Sequence, residues 1–369
     1  MEDPMVIVSS SPHLHDRAST ASMMWDVSIA LAPAALWGVY VFGVRALVIL
    51  LISIASSVGV EFLLNRLSKE STLADGSAFL TGLLIGMNLP ADSSIAVPII
   101  ASAFAMFVVK WTFGGLGANW INPALAARVF VFFSFTNLMN TYRLPKTLIG
   151  VDSVTSATML TEMNMAMSDG AVTGLTSTGI LEAVQYPFTQ FASSLSSWFQ
   201  SVLRINVSPY TIDAFFGNMS GCIGEVSAFL LLVGVIYLFA RKIITWHIPI
   251  SFLATFSLLA WVFGGVRNGL GLFEGDFVLQ LFSGGMMLGA FFMATDMVTS
   301  PTTYKGMIIF GIGGGFLVFL LRYFGSLPES VSLAIIVMNI FVPTIDRYIL
   351  PKRFGEVTKT RKESKGVEA

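Results

Sequence analysis

The chain has 369 residues, 54% of them hydrophobic and only 12% charged, with a formal net charge of −1. Soluble domains carry roughly 25% charged residues, so this composition argues against a water-soluble fold, and the near-neutral balance leaves no footprint for nucleic acid. One cysteine, Cys222, and three histidines, His13, His15 and His247, exclude an internal disulfide, an iron–sulfur cluster built by this chain alone, and a haem held by histidines of facing spans. Any electron carrier held here is therefore organic.

Residues 1–21 carry Glu2, Asp3, Asp16 and Arg17 and lack the apolar core of a signal peptide. They read as a cytoplasmic N-terminal segment. Ten apolar segments follow, near 22–42, 46–65, 76–90, 95–111, 121–139, 222–240, 247–264, 277–297, 306–325 and 329–346. Several approach the ~20 residues that cross a hydrocarbon core as a helix. The third holds Gly82 and Gly86 and stops at Pro90; the eighth holds Gly284, Gly285 and Gly289. Interrupted segments of this kind often line a site.

The expected fold is an all-α polytopic membrane protein. Residues 22–139 form a first five-helix repeat, 140–221 an extracytoplasmic loop, 222–346 a second repeat, and 347–369 a basic cytoplasmic tail. Thr81–Leu84 precedes Leu288–Phe291 by 207 residues, and Leu125–Ala126 precedes Leu333–Ala334 by 208. An odd number of spans per repeat makes the two halves inverted, with sites expected at their interface. Basic residues set the orientation. Arg17, Arg66, Lys69, Lys110, Arg241, Lys242, Lys305, Arg347 and the tail from Lys352 fall on one side. Arg45, Arg143, Lys146, Arg204, Arg267 and Arg322 fall on the other. Both termini are thus expected in the cytoplasm of a prokaryotic cell, the chain lying in its inner membrane.

Several polar clusters interrupt the apolar pattern. In "KWTFGGLGANWINPALAARVF", Gly114, Gly115 and Gly117 permit close backbone approach, Asn119 and Asn122 offer amides, and Pro123 suits a first helical turn. The stretch fits a loop whose free N–H groups meet a phosphate, a flavin edge or a carbonyl. It equally fits a tight connection between spans. Arg128, one turn into the helix, demands a partner. Asp75 and Ser77 suit a helix cap, Thr81 and Asn88 share a helix face, and Glu61 and Glu225 read as interfacial. In "GAFFMATDMVTSPTTYKG", Thr295 and Asp296 lead a hydroxyl-rich cluster. A carboxylate beside Phe291, Phe292 and Met293 points to a cofactor or ion contact, with a plain helix end as the alternative. Lys110 or Arg128 would be its protein partner.

In the 140–221 connection, Asp152, Thr155, Ser156, Ala157 and Thr158 match D-x-x-[S/T]-[G/S/A]-A-T, the pattern on which a flavin transferase esterifies the last threonine to the phosphate of FMN. Small neighbours leave the Thr158 hydroxyl uncrowded, and the segment is expected to be exposed. Residues 159–220 are rich in Met, Ser and Thr and carry no further motif.

These stretches, in order, resemble the RnfD/NqrB family of redox-complex membrane subunits. The matching residues are "SPH" at 11–13, "DGSAFLTGLLIGMNLP" at 75–90, "KWTFGGLGANWINPA" at 110–124, the flavinylation pattern, and "FFMATDMVTSPTT" at 291–303. The one mild departure is Ser156, where glycine is frequent. The resemblance implies an electron-carrying subunit of an Rnf-type ferredoxin:NAD⁺ oxidoreductase that couples electron transfer to Na⁺ or H⁺ movement. It implies covalent FMN on Thr158, a second, non-covalent riboflavin near Gly114–Asn122 and Thr295–Asp296, and no metal site. It also implies partners: RnfG most directly, then RnfA, RnfB, RnfC and RnfE, the flavin transferase during maturation, and membrane lipid. The alternative is a urea- or ammonium-channel-like small-solute transporter, which has no use for Asp152–Thr158.

Overall fold

The computed structural model describes residues 19–68, 72–149, 155–168, 174–325, 327 and 330–350. The "SPH" stretch, Asp152, and most of the basic tail lie outside them. The described chain is mostly helical, with a single two-stranded pair as its only sheet. Among the described residues, five helices are long and apolar enough to cross a membrane: α1 (Thr20–Phe42), α2 (Val44–Ser68), α10 (His247–Arg267), α13 (Tyr304–Tyr323) and α14 (Val331–Tyr348). Four shorter apolar helices occupy other expected segments: α3 (Ser77–Met87), α4 (Ala96–Trp111), α5 (Pro123–Ser134) and α9 (Ala228–Ala240). The segment expected at 277–297 is broken into α11 (Phe277–Phe282) and α12 (Met286–Leu288), the latter continued by a π turn through Gly289–Met293.

Three polar contacts define one end of the bundle. Arg241 meets Asp26 at 3.0 Å, the rings of His247 and Tyr304 stack at 4.5 Å, and the backbone N–H of Thr302 donates to Asp346 at 3.1 Å. At the other end Arg143 donates to the Phe42 carbonyl at 3.2 Å, and Arg45 meets Asp92 at 2.8 Å. The described chain therefore enters and leaves at the same end.

Two expectations about helix extent are corrected. The segment read as 121–139 ends at Ser134, and Thr136–Met139 is a separate turn. The segment read as starting at 222 starts at Ala228. Residues 217–227 are instead non-helical and buried, and they pair with the last residue of α3 and the non-helical residues that follow it. Ile223 N–H donates to Leu89 O at 3.1 Å and Gly224 N–H to Met87 O at 2.7 Å. Irregular backbone at membrane depth survives only where protein satisfies its polar groups, and here each broken segment satisfies the other.

The 140–221 connection is not an open loop. Tyr142–Arg143 (β1) pairs antiparallel with Thr155–Ser156 (β2), with Tyr142 opposite Ser156. Three helices follow that matter below: α6 (Met159–Ser168), α7 (Gln190–Trp198) and α8 (Pro209–Phe216). Met159, Leu160, Met163, Ile180, Leu181, Tyr186, Tyr210 and Met219 bury together as a second core, separate from that of the main bundle. The methionines, unreadable as a motif, fill the irregular gaps between short helices, a role their flexible thioethers suit.

Candidate functional site

The two polar stretches that lie 174 residues apart in sequence face each other across one cavity. It measures about 390 Å³ and opens at the end of the bundle where the described chain enters. Gly117, Asn119, Asn122, Thr295 and Asp296 line it, with Ser77, Thr81 and Lys110. Leu80, Leu84, Leu116, Phe291 and Phe292 supply apolar walls. Gly114, Gly115 and Gly117 have φ of 104°, 90° and 93°, so the loop turns through backbone that side-chain-bearing residues resist. Gly114 and Gly115 shape the loop without lining the cavity.

Asn122 organises one wall. Its Oδ1 accepts from the N–H groups of Ala124 and Leu125 at 3.0 and 3.3 Å, capping α5. That leaves Nδ2 pointing at Asp296 Oδ2, 3.4 Å away. Thr299 donates to the same carboxylate at 3.1 Å and the Val298 N–H at 3.5 Å. Bonds of this length hold the carboxylate loosely and leave it capacity for another donor or a cation. Asn119 Nδ2 donates to Ile121 O at 3.2 Å, and Thr295 Oγ1 to Phe291 O at 2.6 Å.

The cations considered as partners of Asp296 are engaged elsewhere. Lys110 Nζ lies 2.5 Å from Glu61 Oε1 and 2.6 Å from Ser77 Oγ. Asp75 Oδ1 accepts from the Ser77 N–H at 2.8 Å, the capping role expected for it. Arg128 meets Glu225 Oε1 at 2.8 Å, Asn88 Oδ1 at 2.7 Å and Ser332 Oγ at 3.1 Å. Glu61 and Glu225 are thus buried ion-pair members rather than interfacial residues, because each answers a cation forced into the bundle by its own helix. The Arg128 centre joins α5, the end of α3, the 217–227 segment and α14. Sequence reasoning missed it as a unit, although an arginine inside an apolar span was its visible sign.

Near the opposite end, Thr158 is only 4% exposed, which corrects the expectation of an open hydroxyl. Its Oγ1 lies 2.7 Å from Thr161 Oγ1 and accepts the Thr161 N–H at 3.2 Å, so it caps α6. The cavity beside it, shared with Ser220, Gly221, Glu225, Ser283 and Gly284, is about 10 Å³. The Ala157 carbonyl accepts from Ser220 Oγ at 2.9 Å. Only the backbone of Thr155 and Ser156 is described.

The break in span eight sits beneath this segment. Gly284 and Gly285 take φ of 64° and 69°. A Cβ on Gly284 would lie 2.5 Å from Leu160 Cδ1, and one on Gly285 2.5 Å from Glu225 Oε1. Arg322 donates to Gln280 O at 2.6 Å and to Ser283 O and Gly284 O at 3.3 Å each, satisfying carbonyls that the broken helix releases.

A family model described as "NQR2, RnfD, RnfE family" matches residues 7–355. The chain belongs to the NQR2, RnfD, RnfE family. It is 39% identical over 369 residues to a subunit of the Na⁺-translocating ferredoxin:NAD⁺ oxidoreductase complex of Acetobacterium woodii, covering 99% of this chain and 100% of that one. It is also 39% identical over 349 residues to a subunit of the proton-translocating ferredoxin:NAD⁺ oxidoreductase complex of Clostridium ljungdahlii, covering 94% and 96%. A subunit of the ion-translocating oxidoreductase complex of Stutzerimonas stutzeri is 36% identical over 348 residues, covering 92% and 93%. As a member of the NQR2, RnfD, RnfE family, the chain is a multi-pass membrane protein. Among the described residues, three polar clusters lie on the stretches singled out in the sequence: the Asp296 cavity, the Arg128 centre and the seat of Thr158.

Proposed function

We propose that this chain is the membrane subunit of a ferredoxin:NAD⁺ oxidoreductase that couples electron transfer to cation movement across a prokaryotic cell membrane. The observation that carries this reading is likeness along the whole chain to two relatives whose names state that activity. One is named for H⁺ and the other for Na⁺ at equal identity, so likeness does not choose the ion. The reading includes ten spans in two inverted five-helix halves, both termini cytoplasmic, and Thr158 on the outer side.

Within that function we assign covalent FMN to Thr158 and a non-covalent flavin to the Asp296 cavity. The Thr158 donor set fits a phosphoester: the hydroxyl stands at the N-terminus of α6, where free N–H groups favour an anion. The flavin ring itself has no room in about 10 Å³, so the 155–158 segment must turn outward to be modified. The larger cavity lies within the usual range of ligand sites, ~300–1,000 Å³. Its leucine and phenylalanine walls suit a flat ring and exclude water. Asn119, Asn122, Thr295 and Asp296 would orient the ring's polar edge. A flavin bound there supplies one-electron chemistry to the membrane interior; the chain supplies position and polarity. RnfG is the expected electron partner of the outer site, alongside RnfA, RnfB, RnfC, RnfE and the maturation transferase.

Intact mass and in-gel ultraviolet fluorescence of the purified chain test this reading. A yellow protein with one FMN increment, lost in Thr158→Ala, supports it. A colourless chain that conducts a small solute would favour the channel alternative.

A further inference from the structure

The α7 helix does not behave like the rest of the outer connection. It continues as a π turn through Phe199–Leu203 and stops where Arg204 takes a φ of 54°. One edge is fastened to the protein. Ala192 is fully buried, Ser196 Oγ donates to Val207 O at 2.6 Å, and Asp213 accepts from the Thr189 N–H and hydroxyl at 2.7 and 2.6 Å. The rest divides sharply by chemistry. Phe191, Trp198 and Val202 recur at helical spacing and are 56%, 50% and 58% exposed. The opposite face carries Gln190, Ser193, Ser197, Gln200 and Ser201, with no charge among them, and Ser194 sits within the stripe between Phe191 and Trp198.

This apolar stripe is continuous with surface that faces the bilayer. Phe191 contacts Phe216 at 5.5 Å, and Phe216 contacts Phe229 at 5.8 Å. Phe229 opens α9, whose exposed Phe229, Val233 and Ile236 form the outward stripe of a membrane-spanning segment. Trp37 and Tyr40, near the end of α1, line the same groove as Phe191, Phe216 and Phe229, and Trp37 Nε1 donates to Gly217 O at 3.2 Å. Aromatic residues collect at the membrane interface because their rings tolerate both headgroup and acyl surroundings.

We propose that residues 190–203 form an in-plane interfacial helix, its Phe191–Trp198–Val202 stripe seated at the headgroup–acyl boundary of the membrane's lipid. The occupant is lipid because the stripe starts at Phe191, which packs on Phe216 and through it on Phe229 of the outward face of α9. The hydroxyl and amide face is uncharged and suited to headgroup hydrogen bonds. Such a helix holds the small Met-rich unit, and Thr158 with it, at fixed height over the bundle. The inference stands apart from the cofactor assignments.

The test uses the full chain in nanodiscs of mixed phosphatidylcholine and phosphatidylglycerol. The sole native cysteine, Cys222, is buried, so a thiol-reactive bimane can be directed to Val202→Cys or to Ser201→Cys. Nitroxide near the lipid glycerol should quench the label at Val202→Cys at least about twofold more than nitroxide at the chain terminus, as expected for a helix about 5–10 Å deep. Aqueous iodide should reach Ser201→Cys and not Val202→Cys. Equal iodide quenching of both positions overturns the proposal. So does a Val202→Cys label that iodide reaches in the isolated chain and that neither quencher reaches in the assembled complex, which would mean a protein partner. Phe191→Cys, on the same stripe, carries the same readout if either variant misfolds.

Discussion

The Asp296 cavity and the Thr158 seat were both legible as ligand stretches, yet they are built in opposite ways. The first is open, about 390 Å³, with a loosely held carboxylate and apolar walls. The second is closed to about 10 Å³, and its hydroxyl is spent capping a helix. The difference follows from how each would hold its group. A non-covalent ligand needs a preformed cavity, because binding must repay lost freedom through contacts. A covalently attached group needs one reachable hydroxyl, and the bond replaces the pocket.

The comparison breaks most completely at Thr158. Thr158→Ala is expected to abolish covalent flavin, read by in-gel fluorescence and intact mass. It should also destabilise the outer unit by about 0.5–2 kcal/mol through the lost cap, whereas Thr158→Ser should keep the cap. If Thr158→Ala retains flavin through denaturation, the attachment point lies elsewhere.

The next largest effect belongs to the Arg128 centre, which connects the broken segments. Glu225→Ala leaves Arg128 uncompensated and should cost about 3–5 kcal/mol, seen as a lower Tm or failed assembly. The paired change Arg128→Met with Glu225→Leu should recover much of that loss. Failure of the pair to recover any stability would show that the carboxylate acts beyond its ion pair.

Asp296→Asn sharpens the comparison from the cavity side. Assembly and covalent FMN should persist, because Asn122 and Thr299 hold the side chain only weakly. Ferredoxin-to-NAD⁺ electron transfer or its coupled ion transport should fall at least about tenfold, equivalent to about 1.4 kcal/mol. Near-normal turnover with normal pumping would reduce Asp296 to a helix-end residue.

The smallest expected effect is on pH dependence in the outer unit. Burial pushes the Asp213 carboxyl above its ordinary value, although Thr189 and Asn218 donate to it. A carboxyl raised by folding favours the native state while protonated, and that contribution is lost as pH rises through the folded value. Hydrogen-exchange protection of residues 187–219 should therefore decline from acid toward neutral pH, and Asp213→Asn should flatten the trend.

The sequence alone determined the class of molecule, the positions of its apolar segments and the stretches that carry polar chemistry. Length and composition suffice for these, since a bilayer-spanning helix is a local pattern and polar residues inside it are conspicuous. The capping role of Asp75, the breaks near Pro90 and Gly284–Gly285, and the grouping of Asn122 with Asp296 all had local signs. Only the tertiary structure decided which charges meet. Whether Lys110 answers Asp296 or Glu61, and whether Glu225 lies at a surface or against Arg128, depends on contacts between residues 49 and 97 apart in sequence. It also turned a featureless Met-rich connection into a packed unit and closed the Thr158 hydroxyl. Packing of short helices is set by shape complementarity among many weak contacts, and no single residue announces it.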